Sequence, residues 1–391
     1  MPQQVRVERP SRSRRLLPVL ALLFLAPWAA ECSWGGFTLA DMPLVVVVLA
    51  PMYGGAAVLI REAARRTGGG WPAIVLLAAA FGVVQAGLVD QSLFNSDHLA
   101  DTEFADAREM AESTMVPGLG FSAQQALSFI GGHVLLSICA PIAIIESYLG
   151  GDRRHRPWLG VPGLAVVGVL YLLGSALIFA DDSGRKDFLA SPGQLAFAAV
   201  LALLLIGAAL LTGRWSGRRP QAGADPETGR AAEAGPTLEA GPAPEAGLAP
   251  HPDARRVSRP EPARAPRPVW GALAVLPAYL TPNLVPGWLG IGVAVAVSVA
   301  GGLAVLAWSG REGWGQRHVL ATGTAGLLVA AAGVYTVPNY APASPAAALV
   351  GDIAVGVIAL ALVGGAYWRL RREPSARRAG VDKEPFLYRR R

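Results

Sequence analysis

The stretch Leu201-Ala-Leu-Leu-Leu-Ile-Gly-Ala-Ala-Leu-Leu211 decides the fold class of this chain. Its apolar residues follow one another without a polar residue between them, whereas a strand of a membrane barrel alternates apolar and polar residues. A hydrocarbon core about 30 Å thick is crossed by roughly 20 apolar residues in a helix. The stretch is therefore predicted to belong to a membrane-spanning α-helix.

The rest of the 391-residue chain repeats this apolar character. It is 52% hydrophobic and only 16% charged, against about 25% charged residues in soluble domains. We predict an all-α integral membrane protein, a polytopic bundle of about ten transmembrane helices. The predicted spans are 16–35, 43–60, 71–89, 132–150, 158–180, 193–213, 269–286, 288–308, 318–336 and 346–368.

The basic residues lie in every second gap between these spans. All of the 34 Lys and Arg residues fall there, except Arg108, Arg185 and Lys186. Short basic loops stay on the cytoplasmic side during insertion, so both termini are predicted to be cytoplasmic. This placement explains the net charge of +6 without nucleic acid, which is not an expected partner. The lipid bilayer is the expected partner, with anionic lipid against the basic C-terminal tail.

The predicted organisation has five parts. A basic cytoplasmic N-terminus, 1–15, precedes a six-span membrane half, 16–213. The segment 214–268 is rich in Ala, Pro, Glu and Gly and cannot bury enough apolar surface to offset the entropy of ordering. It is predicted to be a disordered cytoplasmic linker. A four-span membrane half, 269–368, and a basic cytoplasmic tail, 369–391, follow it.

Polar side chains at membrane depth are the candidates for function, because they are costly there. Glu31, Gln85, Asp90, His133 and Asp352 all fall near the predicted external level. They are therefore candidates to line one outward-facing cavity, which would suit a cation, a proton or a polar solute. The alternative is that carboxylates at span ends reach the headgroup water.

At the opposite, predicted inner, level a second group of charges has a structural interpretation. Arg61, Glu62, Arg65 and Arg66 have the spacing for ion pairs along one helix. Glu146 is expected to meet Arg153 or Arg154 there, in a packing role.

The predicted seventh span contains three prolines, in Leu276-Pro-Ala-Tyr-Leu-Thr-Pro-Asn-Leu-Val-Pro286. A proline removes a backbone hydrogen bond, so an undisturbed helix is not expected here. Broken helices build binding sites in transporters, and Asn283 is the polar side chain that such a break would offer. The alternative is a short helix that ends near Pro277 and continues as a re-entrant or external turn.

A faint internal repeat relates the two membrane halves. Gly54-Gly-Ala-Ala-Val-Leu59 matches Gly301-Gly-Leu-Ala-Val-Leu306, and the same shift places the first span on the seventh. Such a repeat would be parallel, because both copies begin on the predicted cytoplasmic side. Chance is one alternative explanation, and close helix packing at the paired glycines is another.

Motifs for a known chemistry are not found. The sequence has no glycine-rich phosphate loop followed by Lys and Ser or Thr, and no His-Glu-x-x-His. Its five histidines are scattered, and its two cysteines, Cys32 and Cys139, are interpreted as structural. No cofactor or metal is therefore expected, and the interpretation favours a protein that is not an enzyme.

The stretch from Pro51 to Leu164 contains a series of short motifs: Tyr53-Gly-Gly-Ala, Ile60-Arg-Glu, Gly70-Trp-Pro, Gly87-Leu-Val-Asp-Gln-Ser-Leu-Phe-Asn95, His133, Pro141-Ile and Pro157-Trp-Leu-Gly160. In these motifs it resembles an uncharacterised family of multi-spanning membrane proteins from actinobacteria and related bacteria. The resemblance implies a bacterial plasma membrane but no activity. Members of that family have paired acidic residues before the Gly-Leu of the third span, which is faintly similar to intramembrane proteases of the CAAX-processing type. Gln85 and Ala86 stand at those positions here, so no metal or base role is implied.

Three functional hypotheses follow from the sequence. The first is a transporter or permease-like protein for an unidentified solute, with Asp352, His133 and the broken seventh span at its site. The second is a non-catalytic membrane partner or regulatory protein that uses its linker and tail as docking surfaces, although no protein partner can be named. The third is an intramembrane protease-like enzyme.

Overall fold

The computed structural model describes residues 12–98, 102, 104, 112–216 and 263–373. The first eleven residues, the interior of the predicted linker and the tail after residue 373 lie outside the described residues. So does most of the acidic stretch between residues 99 and 111. The predictions of a disordered linker and of a lipid-binding tail therefore remain predictions.

The described chain is built almost entirely of helices. A two-stranded antiparallel hairpin, in which β1 (Met115–Val116) pairs with β2 (Phe121–Ser122), precedes the fourth long helix. The helices are α1 (Arg12–Pro27, continued by the π-helical turn Trp28–Cys32), α2 (Met42–Thr67), α3 (Gly70–Val89), α4 (Ala123–Tyr148), α5 (Gly151–His155), α6 (Val161–Lys186), α7 (Pro192–Ser216), α8 (Pro268–Leu284), α9 (Gly287–Ser309), α10 (Gln316–Gly333, continued by the 3₁₀ turn Val334–Thr336) and α11 (Pro345–Arg372).

Eight helices in the described part of the chain are long and apolar enough to cross a membrane: α2, α3, α4, α6, α7, α9, α10 and α11. The protein is therefore a multi-pass, all-α membrane protein. The apolar segment Leu16–Cys32 is shorter, and α8 has 17 residues. The long helices follow the order of the predicted spans, while the count of ten crossings and the side of the termini stay predictions.

The fourth long helix begins earlier than its predicted start at residue 132. The Ser122 hydroxyl accepts a hydrogen bond from the Gln125 backbone N–H at 3.2 Å and so caps the helix start at Ala123. The polar residues of this first turn concealed the helix from the hydropathy pattern. His133 consequently lies about 15 Å along the helix, at 1.5 Å per residue, rather than at its start.

The prediction of a broken seventh span was wrong. Helix α8 continues through Pro277 and Pro282 and ends at Leu284. The carbonyl of Pro282 lies in the last turn of α8, where helix carbonyls have no donor within their own helix. The Gln124 side chain at the start of α4 donates to that carbonyl at 3.0 Å. A neighbouring helix thus satisfies a carbonyl at the end of α8, as membrane proteins require.

The packing joins the two membrane halves through α10. Helix α3 packs against α7, α8 packs against α9 and α10, and α10 packs against both α4 and α11. Gly323 of α10 allows the close approach to α4, because a Cβ there would lie 2.9 Å from the Ala143 side chain. Leu and Val side chains of α6, α7, α9 and α11 remain exposed, as expected of helices that face lipid.

The glycines of the internal repeat mark close helix packing. A Cβ on Gly54 would lie 2.1 Å from the carbonyl oxygen of Leu23 in α1. A Cβ on Gly301 would lie 2.1 Å from the carbonyl oxygen of Ala274 in α8. Both copies therefore place a glycine against the backbone of the preceding long helix, which supports the packing explanation of the repeat.

Candidate functional site

Four π-helical turns occur in the described residues, one in or at the end of each of the helices α1 to α4. They are Trp28–Cys32, Ala50–Gly54, Gln85–Val89 and His133–Cys139. Such turns are rare, because they widen the helix and weaken its hydrogen bonds, and they are frequent at functional sites. Each of these four turns carries one side chain of a single polar cluster.

The centre of this cluster is a tyrosine between a carboxylate and an imidazole. The Tyr53 hydroxyl donates a hydrogen bond to the Glu31 carboxylate. The Tyr53 and His133 rings are 5.7 Å apart between centroids, and the Phe81 ring lies 5.5 Å from His133. His133 Nδ1 is 3.2 Å from the Ser137 hydroxyl oxygen, one turn further along α4.

A second carboxylate joins the cluster from the end of α3. The Gln85 side-chain Nε2 donates to Asp90 Oδ2 at 3.3 Å, and Asp90 Oδ1 accepts from the Ser92 backbone N–H at 2.9 Å. Asp90 is close enough to interact electrostatically with both Glu31 and Tyr53. We call Glu31, Tyr53, Gln85, Asp90 and His133 the polar cluster.

One buried side-chain atom of the polar cluster lacks a hydrogen-bond partner among the described residues. It is Gln85 Oε1, and Gln85 is only 1% exposed. The opposite orientation of this amide would place its oxygen against the Asp90 carboxylate, so the present one is favoured. A buried acceptor without a donor costs free energy, and a ligand with a donor would remove that penalty.

The polar cluster lies deep in the bundle but is not closed. Tyr53 is about 16 Å from the start of α2, near the middle of a 26-residue helix. Tyr53 and Gln85 are buried, whereas Glu31, Asp90 and His133 are half-buried. No basic side chain of the described residues contacts Glu31. The site therefore combines partly exposed side chains with a carboxyl group that no basic side chain of the described residues contacts.

Four aromatic rings lie beside the polar cluster. We call Trp34, Phe37, Phe104 and Tyr340 the aromatic cap. The Tyr340 ring centroid is 4.9 Å from that of Phe37, 5.0 Å from that of Phe104 and 5.7 Å from that of Trp34. Tyr340 comes from the loop between α10 and α11, and its backbone N–H donates to the Gly36 carbonyl at 2.8 Å. Burial raises the pKa of Tyr340, and the charges of Glu31 and Asp90 raise it further.

Four of the six predicted site residues come together in this arrangement, and two do not. Glu31, Gln85, Asp90 and His133 belong to the polar cluster. Asp352 is half-buried on α11 among exposed apolar neighbours and makes no hydrogen bond or ion pair to a described side chain. Asn283 lies in the last turn of α8, and its side chain lies outside the described ones.

Tyr53 and the four residues of the aromatic cap are site residues that were not proposed from the sequence. Tyr53 lies between Pro51 and Gly54-Gly55. These helix-disturbing residues on both sides could have indicated an irregular turn of the helix at Tyr53. Tyr340 lies in the loop after α10, and only the packing of that loop against Gly36 brings it to the site. No local sequence pattern predicts that contact.

A second buried polar group lies towards the other ends of α2 and α4. Arg61, Glu62 and Glu146 are fully buried. Arg61 donates from Nε to the Glu146 carboxylate at 3.1 Å and from Nη1 to the Glu62 carboxylate at 2.8 Å. Its guanidinium carbon lies 3.6 Å from the centroid of the Trp158 ring. Each of the two carboxylates thus has a guanidinium partner within the protein.

Further donors complete this arginine–glutamate network, which consists of Arg61, Glu62, Arg65, Arg66, Glu146 and Arg154. Glu62 also accepts from the Trp158 backbone N–H at 2.7 Å, and Arg65 Nε donates to Glu146 at 2.9 Å. The expected pairing of Glu146 with Arg154 exists in a different form. Arg154 Nε donates to the backbone carbonyl of Glu146 at 2.9 Å, while the carboxylate is held by Arg61 and Arg65.

No protein family, curated protein or solved structure matches this chain. The resemblance of residues 51–164 to an actinobacterial family therefore remains a proposal. Within the described residues, no three side chains of His, Cys, Asp or Glu come close enough to hold a metal ion. The assignment of function rests on the geometry of the polar cluster.

Proposed function

We propose that this multi-pass membrane protein is a transporter or permease-like protein that binds a small cationic or protonated solute at the polar cluster. The observation that carries the proposal is the convergence of four π-helical turns, from four helices, on Glu31 and its neighbours. Each turn contains one residue that enters the cluster. That coincidence favours a binding role over a packing role.

The charge of Glu31 gives the solute its sign. An ionised carboxylate at membrane depth is costly and normally pairs with a cation. Glu31 receives one hydrogen bond, from Tyr53, and has a second carboxylate, Asp90, in its surroundings. A positively charged solute would offset both costs. A proton on Glu31 would do so as well, so protonation is expected to compete with the solute.

The origin of the site residues favours transport over a fixed structural role. Helices α1 to α4 of the first half supply the polar cluster, and the loop between α10 and α11 of the second half supplies Tyr340. Sites between two halves of a bundle are the ones that relative motion of the halves opens to alternate sides. Ten spans, cytoplasmic termini and a location in a bacterial plasma membrane belong to this proposal.

The test is current measurement on solid-supported proteoliposomes that contain the full chain. Concentration jumps of Na⁺, K⁺, alkylammonium ions, basic and neutral amino acids, and sugars are applied, and internal pH is followed with a trapped dye. We expect at least one cationic solute to give a saturable current or pH change that Glu31→Gln abolishes. Acidic pH should weaken the response through competition by protons.

Asp352→Asn is the matched control, because it also neutralises a half-buried carboxylate in a long helix but lies outside the polar cluster. It should leave the response unchanged. A panel without any protein-dependent response would contradict transport. An equal loss in Glu31→Gln and Asp352→Asn would contradict the assignment of the site to the polar cluster.

A further inference from the structure

The aromatic cap has an organisation that solute binding by carboxylates alone does not explain. Its four rings are all half-buried, so each keeps part of its surface free. Tyr340 contacts the three other rings. Trp34 of the same group donates from its indole Nε1 to the carbonyl of Ala30, the residue before Glu31, at 2.9 Å, which fixes the aromatic cap next to the carboxylate. A cation near the Glu31 carboxylate would therefore also lie near aromatic faces.

Aromatic rings next to carboxylates favour an organic cation over a hydrated metal ion. The face of an aromatic ring attracts a cation through its quadrupole, an effect of about 0.5–2 kcal/mol, and recognition of organic ammonium groups is its recurrent use. Sodium, potassium and divalent ions instead need several oxygen ligands around them. The described residues offer no group of three acidic or imidazole ligands for such an ion.

Gln85 adds a requirement for hydrogen-bond donors. Its Oε1 is buried and has no donor among the described residues, and the same amide is tied to the cluster through Asp90. A primary or secondary ammonium group carries N–H donors that can reach both an amide oxygen and a carboxylate. A quaternary ammonium ion has none, and a neutral alcohol would leave the Glu31 charge uncompensated.

We infer that the solute is a small organic ammonium ion with N–H donors and a compact apolar body. The Glu31 carboxylate pairs with its charge, Gln85 Oε1 accepts one of its N–H groups, and the aromatic cap covers its apolar body. This inference rests on the proposed function, because it names the class of solute for the same site. It adds a recognition role for Gln85 and for Tyr340.

The experiment measures thermal stabilisation of the full chain in detergent at constant ionic strength. The probes are propylammonium chloride, tetramethylammonium chloride, 1-propanol and sodium chloride. A ligand that binds only the folded state raises the melting temperature, and at equal concentration a ligand with higher affinity raises it further. Propylammonium should stabilise the protein most, tetramethylammonium less, and propanol and sodium not at all.

Variants separate the three recognition elements. Glu31→Gln should weaken propylammonium binding by roughly tenfold or more, the equivalent of 1.4 kcal/mol. Gln85→Leu should remove the preference for propylammonium over tetramethylammonium, because only propylammonium carries an N–H group that Gln85 Oε1 can accept. Tyr340→Leu should weaken both cations several-fold, whereas Tyr340→Phe keeps the ring and should bind both as the wild type does. The melting temperature of each variant without probe verifies that it is folded.

Equal stabilisation by propanol and propylammonium, or an undiminished effect in folded Glu31→Gln, would overturn the inference. The two proposals fail separately. Glu31-dependent transport of a solute that is not an amine, without stabilisation by propylammonium, would overturn the ammonium assignment and leave transport standing. Glu31-dependent stabilisation by propylammonium, without transport of any solute, would leave the ammonium site standing and overturn transport.

Discussion

The polar cluster and the arginine–glutamate network use the same two helices in opposite ways. On α2, Tyr53 and Arg61 are about 12 Å apart, and on α4, His133 and Glu146 are about 20 Å apart. In the network every buried carboxylate has guanidinium donors, and Arg61 also stacks on Trp158. In the polar cluster Glu31 has a phenol and a second carboxylate nearby.

The difference shows how one bundle separates structure from function. A buried ion pair whose hydrogen bonds are complete holds helices in register but leaves nothing for a ligand. A buried carboxylate with a neutral donor costs stability and leaves its charge available. Substitutions in the two regions should therefore have opposite signatures, which the following variants test in order of decreasing effect.

Arg61→Met should have the largest effect on stability. It keeps an apolar side chain of similar length but leaves the Glu62 and Glu146 carboxylates with one donor fewer in a buried site. Removal of one partner of a buried pair costs about 3–5 kcal/mol. We expect a strongly lowered melting temperature or loss of folded protein, measured by thermal unfolding in detergent. Melting at the wild-type temperature would mean that the network does not hold the bundle.

Arg61→Met combined with Glu62→Gln is the matched control for that variant. The double variant removes a buried carboxylate together with its buried guanidinium partner, and the other partner of Glu62, Arg66, is partly exposed and can reach water. It should melt at a higher temperature than Arg61→Met alone, which is the signature of coupled charges in a double-mutant cycle. By contrast, Glu31→Gln should melt at or above the wild-type temperature while it loses solute response.

Gly54→Ala should have the next largest effect, and it acts on the polar cluster through the backbone. The new Cβ would lie 2.1 Å from the Leu23 carbonyl oxygen, so α1 must move away from α2. That movement separates Glu31 from Tyr53. We expect a loss of about 1–3 kcal/mol of stability, typical of overpacking, and a loss of solute response.

Gly168→Ala on α6 is the control, because a Cβ there meets nothing within 4 Å. Its melting temperature and its current on proteoliposomes should match those of the wild type. If Gly54→Ala also matched the wild type in both measurements, the contact between α1 and α2 would not position Glu31.

Tyr53→Phe should have a moderate effect that is confined to binding. It keeps the ring against Phe81 and His133 but removes the hydroxyl that donates to Glu31. A hydrogen bond to a charged group contributes about 1.5–3 kcal/mol. The affinity for propylammonium, measured by thermal stabilisation, should therefore change by roughly tenfold or more. In a Glu31→Gln background the same substitution should change little further. Independent, additive effects would show that Tyr53 does not act through Glu31.

Much of both regions could be predicted from the sequence, because their charged residues stand out against an apolar composition. Apolar runs predict helices in a membrane, and Glu31, Asp90 and His133 are conspicuous within them because ionisable groups are rare there. Arg61 to Arg66 are likewise conspicuous at a span end. These signals lie in the local sequence, so they can be recognised without knowing which helices pack together.

The parts that could not be predicted depend on contacts between distant segments. Asp352 lies at a depth in its span that suits a binding site, but the sequence does not show which helices pack next to it. The π-helical turns follow from the packing of α1 to α4 on one another. Pro277 and Pro282 suggested a break, yet α8 continues through both, and Gln124 from another helix donates to a carbonyl of its last turn. Each error concerns a partner that is far away in the sequence.

Glu373→Gln should have the smallest effect and defines the edge of the network. Arg154 Nη2 donates to Glu373 Oε2 at 3.1 Å, but the Glu373 side chain is 36% exposed. Water and salt screen such a pair, so its loss should change stability by less than about 1 kcal/mol. The melting temperature should fall slightly at low salt and not at all at high salt. A fall as large as that of Arg61→Met, at either salt concentration, would place the end of α11 inside the buried network. The closed network would then include Glu373, the last described residue.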